Sequence, residues 1–176
     1  GGVYDLRDIV LSAPRGILIE AGTLLDIRST VRRGAMIQRT LGRMNESYPL
    51  LAEIAEQIEP CMNLQNAIGD AIDDRGEVKD TASPQLAIIR RDLKIAFDRL
   101  QTKLQRLITS PSKVKHLQEA MITMRNGRYV VPLKADNKGK IPGVVHDSSS
   151  SGATLFIEPL DTVELNNKWR ELQIDE

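Results

Sequence analysis

Between Ser83 and Thr109 the apolar residues fall on one helical stripe. Leu86, Ile89, Leu93, Ala96, Phe97, Leu100, Leu104, Leu107 and Ile108 recur at steps of three and four. Ser83 suits an N-cap and Pro84 the first helical position. Ser110-Pro111 ends the pattern near Thr109. About 26 residues at about 1.5 Å each make a rod of about 39 Å. An amphipathic helix this long sets a mostly helical fold. Its other faces carry Arg90, Arg91, Lys94, Arg99, Lys103 and Arg106.

The residues before it also read as helices. Asp5 caps a short one carrying Leu6, Ile9 and Val10, and Pro14-Arg15-Gly16 breaks it. Leu24, Ile27, Val31, Ala35, Leu41 and Met44 predict a second helix from Ala21 to Asn45. A third carries Leu50, Leu51, Ile54, Ala55 and Ile58 and ends at Pro60. A shorter one covers Leu64 to Ile68. Asp73-Asp74-Arg75-Gly76 is a turn signal. After the rod the period changes to two. Met121–Arg125 and Arg128–Lys134 flank Asn126-Gly127, a strong hairpin signal. Strands follow at Gly143–His146 and Thr154–Ile157. A helical pattern resumes at Val163, Leu165, Trp169 and Leu172. The expected fold is α+β and predominantly helical, with a small antiparallel sheet at the far end of the long helix. Its segments are 1–82, 83–118, 119–159 and 160–176. Aromatic residues make up only 3%, so the core is expected to come from aliphatic residues and Met. Met36, Met44, Met121 and Met124 read as core fillers, Cys61 as a small buried residue and Trp169 as a packing anchor.

The 176 residues carry 24 basic and 24 acidic side chains. That balance argues against a nucleic-acid partner only if it is even along the chain. It is not. Residues 1–85 hold 9 basic and 13 acidic side chains, residues 86–140 hold 13 and 4, and residues 141–176 hold 2 and 7. A basic block covering the rod and the hairpin lies between two acidic ones. One cysteine excludes an internal disulfide framework. No apolar run approaches the ~18 residues of a membrane span, and no signal peptide is visible. A cytoplasmic setting and no membrane partner are expected. The chain opens without Met and closes inside a helical pattern, so a piece of a longer protein is expected.

Catalytic signatures are missing. There is no G-x-x-x-x-G-K-[ST], G-x-S-x-G, H-E-x-x-H or paired-Cys motif. His146-Asp147 precedes four serines, but strand neighbours point to opposite faces. A strand and loop therefore fit better than a triad, and a hydrolase is the remote class. Ser148–Gly152 reads as a flexible hairpin loop, with a phosphate cradle of backbone N–H groups as the alternative. No catalytic residue, cofactor or metal site is assigned. The binding candidates are basic. A two-residue turn sets Arg125 opposite Arg128, which is unfavourable unless an anion or solvent intervenes. Lys134, Lys138 and Lys140 follow. A sheet tip bearing five cations suits phosphate contacts, while a solvated hairpin end is the bland alternative. Arg91, Lys94, Arg99, Lys103 and Arg106 on the rod form a secondary set.

Several stretches carry a resemblance. They are Arg125–Lys134 (RNGRYVVPLK), Gly143–Asp147 (GVVHD), Ser149–Pro159 (SSSGATLFIEP) and Leu165-Asn166-Asn167. Upstream, Tyr4–Ile9 (YDLRDI) and Asp80–Leu86 (DTASPQL) fit as well. Together they resemble the second bacterial branch of the MutS family, in order along nearly the whole chain. The resemblance implies a helical core over 1–82, a lever helix over 83–118, a clamp-like subdomain over 119–159 and a returning lever from 160. It implies a homodimeric parent with an ATPase, binding ATP and Mg, and a nuclease domain beyond this segment. The segment itself is then a monomer or a weak dimer, roughly the second quarter of its parent. The implied partner is branched or mismatched DNA, with suppression of recombination. A ribosomal or structured-RNA partner, or a protein interaction, is the alternative. Phe156-Ile157-Glu158 shares its letters with the family's mismatch-sensing motif. Here it reads as a strand ending in a turn, not an intercalating wedge.

Overall fold

The computed structural model describes residues 2–176. Two compact units emerge, Gly1–Pro84 and Gln85–Glu176. The first contains α1 (Arg7–Ser12), α2 (Ala21–Arg43), α3 (Pro49–Glu56) and α4 (Met62–Ala71). α2 is its spine, and α3 and α4 pack against it. Two glycines permit the close approach. A Cβ on Gly34 would lie 3.1 Å from Ile58 Cγ2, and one on Gly69 would lie 3.1 Å from the Arg28 guanidinium. Gln38 Nε2 donates to the Ile58 carbonyl at 2.8 Å. Ala52, Ala55, Ile68 and Ile72 are buried. The turn expected at Asp73 forms, and Oδ1 of Asp73 accepts the N–H groups of Arg75 and Glu77, each at 2.9 Å. The Glu77 N–H is the main cause holding the Asp73 carboxyl below its ordinary pKa.

Several expected details shift. α3 stops at Glu56, not Pro60, and α4 covers Met62–Ala71, not only Leu64–Ile68. The methionines are not core fillers: Met36, Met44, Met121 and Met124 are 41–49% exposed. The inward face of α2 runs through Ile27, Val31, Gly34, Gln38 and Leu41, which leaves Met36 outside it. Cys61 is only half-buried, with φ 43°, at the start of α4.

The second unit contains α5 (Pro84–Thr109), α6 (Pro111–Val114), β1 (Thr123–Arg125), β2 (Arg128–Lys134), β3 (Gly143–Ser148), β4 (Thr154–Pro159) and α7 (Val163–Asp175). The long helix has the bounds that Ser83-Pro84 and Ser110-Pro111 predict. The sheet is antiparallel throughout, in the order β1-β2-β4-β3. The molecule is α+β and mostly helical, as expected. β1 is shorter than the expected Met121–Arg125. Pro132 offers no N–H on that edge of β2, so pairing resumes only at Gln118, whose N–H reaches the Pro132 carbonyl at 2.8 Å. The sheet packs on the C-terminal half of α5. Ala96, Leu100, Leu104, Leu107 and Ile108 meet Leu117, Val131, Leu133, Ile141 and Ile157 there.

α7 returns antiparallel to α5. Its end meets the start of α5 through Arg90 Nε and Glu176 Oε1 at 2.7 Å. Its beginning, at Asp161 and Thr162, shares a hollow with Lys103, Arg106 and Leu107. Trp169 anchors the packing as expected. Its ring lies 4.9 Å from Tyr129 and 6.4 Å from Phe97, joining α7, β2 and α5. Burial holds the Tyr129 phenol above its ordinary pKa. Asn166 is fully buried. Its Oδ1 accepts the Tyr129 N–H at 3.0 Å and its Nδ2 donates to the Tyr129 carbonyl at 3.1 Å. One side-chain amide thus satisfies both backbone groups of a strand residue.

Gly143 has no room for a side chain, since a Cβ would sit 2.6 Å from the Glu158 carbonyl oxygen. Gly143→Ala is expected to force β3 off β4 and cost about 1–3 kcal/mol. A urea midpoint unchanged from the parent chain would refute this.

No helix among the described residues is long and apolar enough to cross a membrane.

Candidate nucleic-acid interface

The Asn126-Gly127 turn has φ of 51° and 72°, the two positive values a primed hairpin turn demands. Arg125 pairs with Arg128 in the ladder, as the turn predicts. The structure supplies the anions that make this tolerable, and both are carboxylates of the same sheet. Arg125 Nε lies 3.2 Å from Asp147 Oδ2, and its guanidinium sits 4.0 Å above the Phe156 ring. Arg128 Nη1 lies 3.2 Å from Glu158 Oε1. The other oxygen of Glu158 meets His146 Nε2 at 2.6 Å. Asn126 Nδ2 donates to the His146 carbonyl at 2.9 Å. The two edge strands, β1 and β3, therefore meet at this end, and the sheet curls into an open mouth. Arg125, Arg128, His146 and Glu158 fill it. Glu158 itself is 2% exposed.

This corrects the picture of one tip bearing five cations. Arg128 and Lys134 stand at opposite ends of β2, six residues apart, or about 20 Å. The arginine end faces α7, where Gly127 lies beside the Arg170 guanidinium. The lysine end lies beside the C-terminus of α5. Lys134 N–H donates to the His116 carbonyl at 3.0 Å, and Lys134 Nζ reaches the Lys115 carbonyl at 3.4 Å. His116 Nδ1 is 3.3 Å from Asn137 Oδ1. Lys115, which sequence reading passed over, thereby joins Lys134, which Lys138 and Lys140 follow in the chain, and Lys113 lies two residues before it. The signal available was two more lysines straight after Ser110-Pro111. None of the five takes part in an ion pair among the described residues. Lys115, Lys134, Lys138 and Lys140 are exposed.

The rod cations divide in the same way. Arg91 is paired with Asp92 at 3.1 Å, and Lys94 is exposed nearer the other end. Arg99, Lys103 and Arg106, with one carboxylate, Asp98, among them, line a groove of about 490 Å³ along α5. Lys113 lies beyond them, with Lys103 and Arg106, around the next hollow.

The serine loop and its neighbours behave as a structural hairpin. The N–H groups of Ser149, Gly152, Ala153 and Thr154 all donate within the loop. A cradle for phosphate would need those donors. His146 is oriented by Glu158, while Asp147 is engaged by Arg125 and by the Ser148 N–H at 2.8 Å. No triad geometry arises. Phe156-Ile157-Glu158 lies within β4, with Ile157 and Glu158 buried.

No family model matches the chain. Individual proteins do. The chain is 42% identical over 179 residues to a protein named Endonuclease MutS2 from Thermomicrobium roseum, and 43% identical over 176 residues to one of the same name from Pelotomaculum thermopropionicum. A third, from Halalkalibacterium halodurans, is 39% identical over 180 residues. Each match covers 100% of this chain. The chain spans only about a fifth of the length of these relatives, 22% in the first two and 23% in the third.

Proposed function

We propose that the chain is the core, lever and clamp-like segment of a MutS2-type DNA-processing protein, and that its lysine-bearing end grips a nucleic-acid backbone. The observation that carries this is the grouping of Lys113, Lys115, Lys134, Lys138 and Lys140 at one end of the α5–α7 pair, without carboxylate partners. Exposed ammonium groups, here those of Lys115, Lys134, Lys138 and Lys140, suit phosphates, which position a protein without specifying sequence. The groove of Arg99, Lys103 and Arg106 extends the same track along α5. Arg125 and Arg128 serve instead to close the sheet. On this reading the parent is a cytoplasmic homodimer acting on branched or mismatched DNA and suppressing recombination. Its ATP, Mg and endonuclease chemistry reside outside these residues.

The test is Lys134→Ala/Lys138→Ala/Lys140→Ala in the 176-residue chain. Binding to a duplex and to a four-way junction is measured over a salt series. Three lost phosphate contacts should make the slope of log K against log salt less negative by roughly 2.7. Affinity near 0.1 M salt should fall about tenfold or more. Arg125→Ala should change the slope little. Unaltered binding by the triple variant would sink the proposal. A structured RNA hairpin run in parallel decides the alternative partner: tighter binding to RNA than to the junction would move the substrate from DNA to RNA.

A further inference from the structure

The unit formed by Gly1–Pro84 is acidic overall, but α2 is not. It carries Arg28, Arg32, Arg33, Arg39 and Arg43 against the single carboxylate of Asp26. Arg28 is engaged inside the unit, 3.6 Å from Asp74 and packed on Gly69. The others lie outward. Ser29, Arg32, Met36 and Arg39 follow one another at steps of three and four, so they share one face of α2. That face and the start of α4 enclose a groove of about 640 Å³, whose far wall is Met62 and Gln65. Its size falls within the usual range for small-ligand clefts.

The lining is unusual in its combination. Arg32 and Arg39 stand on either side of Met36, and their positions on α2 are about 10.5 Å apart along the helix axis. Met36 lies midway between them and Met62 opposite, 49% and 51% exposed. Guanidinium forks match phosphate oxygens in pairs. Thioethers make favourable contacts with flat aromatic rings. A peptide of Asp and Glu alone supplies the charge but not the ring. A nucleotide supplies both. We propose that this groove binds a short single-stranded nucleic-acid segment, with phosphates on Arg32 and Arg39 and a base against Met36 and Met62. The groove belongs to the Gly1–Pro84 unit and the lysine group to the Gln85–Glu176 unit, so the two are tested independently.

The chain has five methionines, and their ¹³C-labelled methyl groups give a local readout. The probe is a 5′-phosphorylated thymidine dinucleotide, too short to span the lysine end. Titration should shift Met36 and Met62 saturably and leave Met121 and Met124 unmoved. Arg32→Gln/Arg39→Gln, both at exposed positions, should weaken the apparent affinity about tenfold. A thermal melt checks that this variant stays folded. If it does not, the single Arg39→Gln chain is titrated instead, with weakening again expected. Tetraglutamate should give no saturable shift. The proposal is overturned if Met36 and Met62 stay still in the parent chain, if folded variants respond as the parent does, or if tetraglutamate acts as well as the dinucleotide.

Discussion

Glu158→Ala is expected to destabilise the Gln85–Glu176 unit by about 3–5 kcal/mol, the usual cost of removing one member of a buried charged set. The Glu158 carboxylate is 2% exposed and bonded on one oxygen to Arg128 and on the other to His146. Without it, a guanidinium and an imidazole are left inside the curl of the sheet with no acceptor between them. Glu158→Gln keeps an acceptor and the volume, so it should cost less. Urea unfolding of the three chains checks the order: parent most stable, then Gln, then Ala. Equal midpoints for Ala and parent would show that Glu158 does not hold the mouth together.

Leu104→Ala should cost about 2–5 kcal/mol. Leu104 is fully buried where α5 carries the sheet. A single domain typically has only about 5–15 kcal/mol in hand, so this one substitution removes a large share. Leu160→Ala is the control. Leu160 is 57% exposed, and a surface change of this kind should stay within about 0.5 kcal/mol. A Leu104→Ala midpoint as close to the parent as the control would contradict the packing described for α5.

The rod was legible because its ends are written in local chemistry, with Pro84 at one and Ser110-Pro111 at the other. The hairpin was legible because Asn-Gly relieves the positive φ that its turn requires. What lay beyond reach depended on pairing across the sheet. Nothing near Lys134 in sequence says that β2 runs from the arginine end to the lysine end, so five cations close in sequence looked like one tip. Nor does Phe156-Ile157-Glu158 announce a buried carboxylate, since its two partners come from other strands. Lys115 joined the lysine group only through its backbone beside Lys134. Asn166 was visible only within the Leu165-Asn166-Asn167 resemblance. Its role appears when α7 is laid against Tyr129. Met36 misled because composition says what a core is made of, not which face of α2 it occupies. The charge count by segment found the basic block, yet averaging over residues 1–85 hid five arginines on one helix.

The meeting of β1 and β3 at Asn126 and His146 bears on how this chain behaves in a crowded solution. A four-stranded sheet has two outer strands whose unused backbone groups invite a neighbour. Here those outer strands turn towards each other at one end and are tied by Arg125 and Asp147. Stacking of copies edge to edge is thereby discouraged at that end without any covering helix. The charges at the turn act as a clasp that joins the two outer strands to each other at that end.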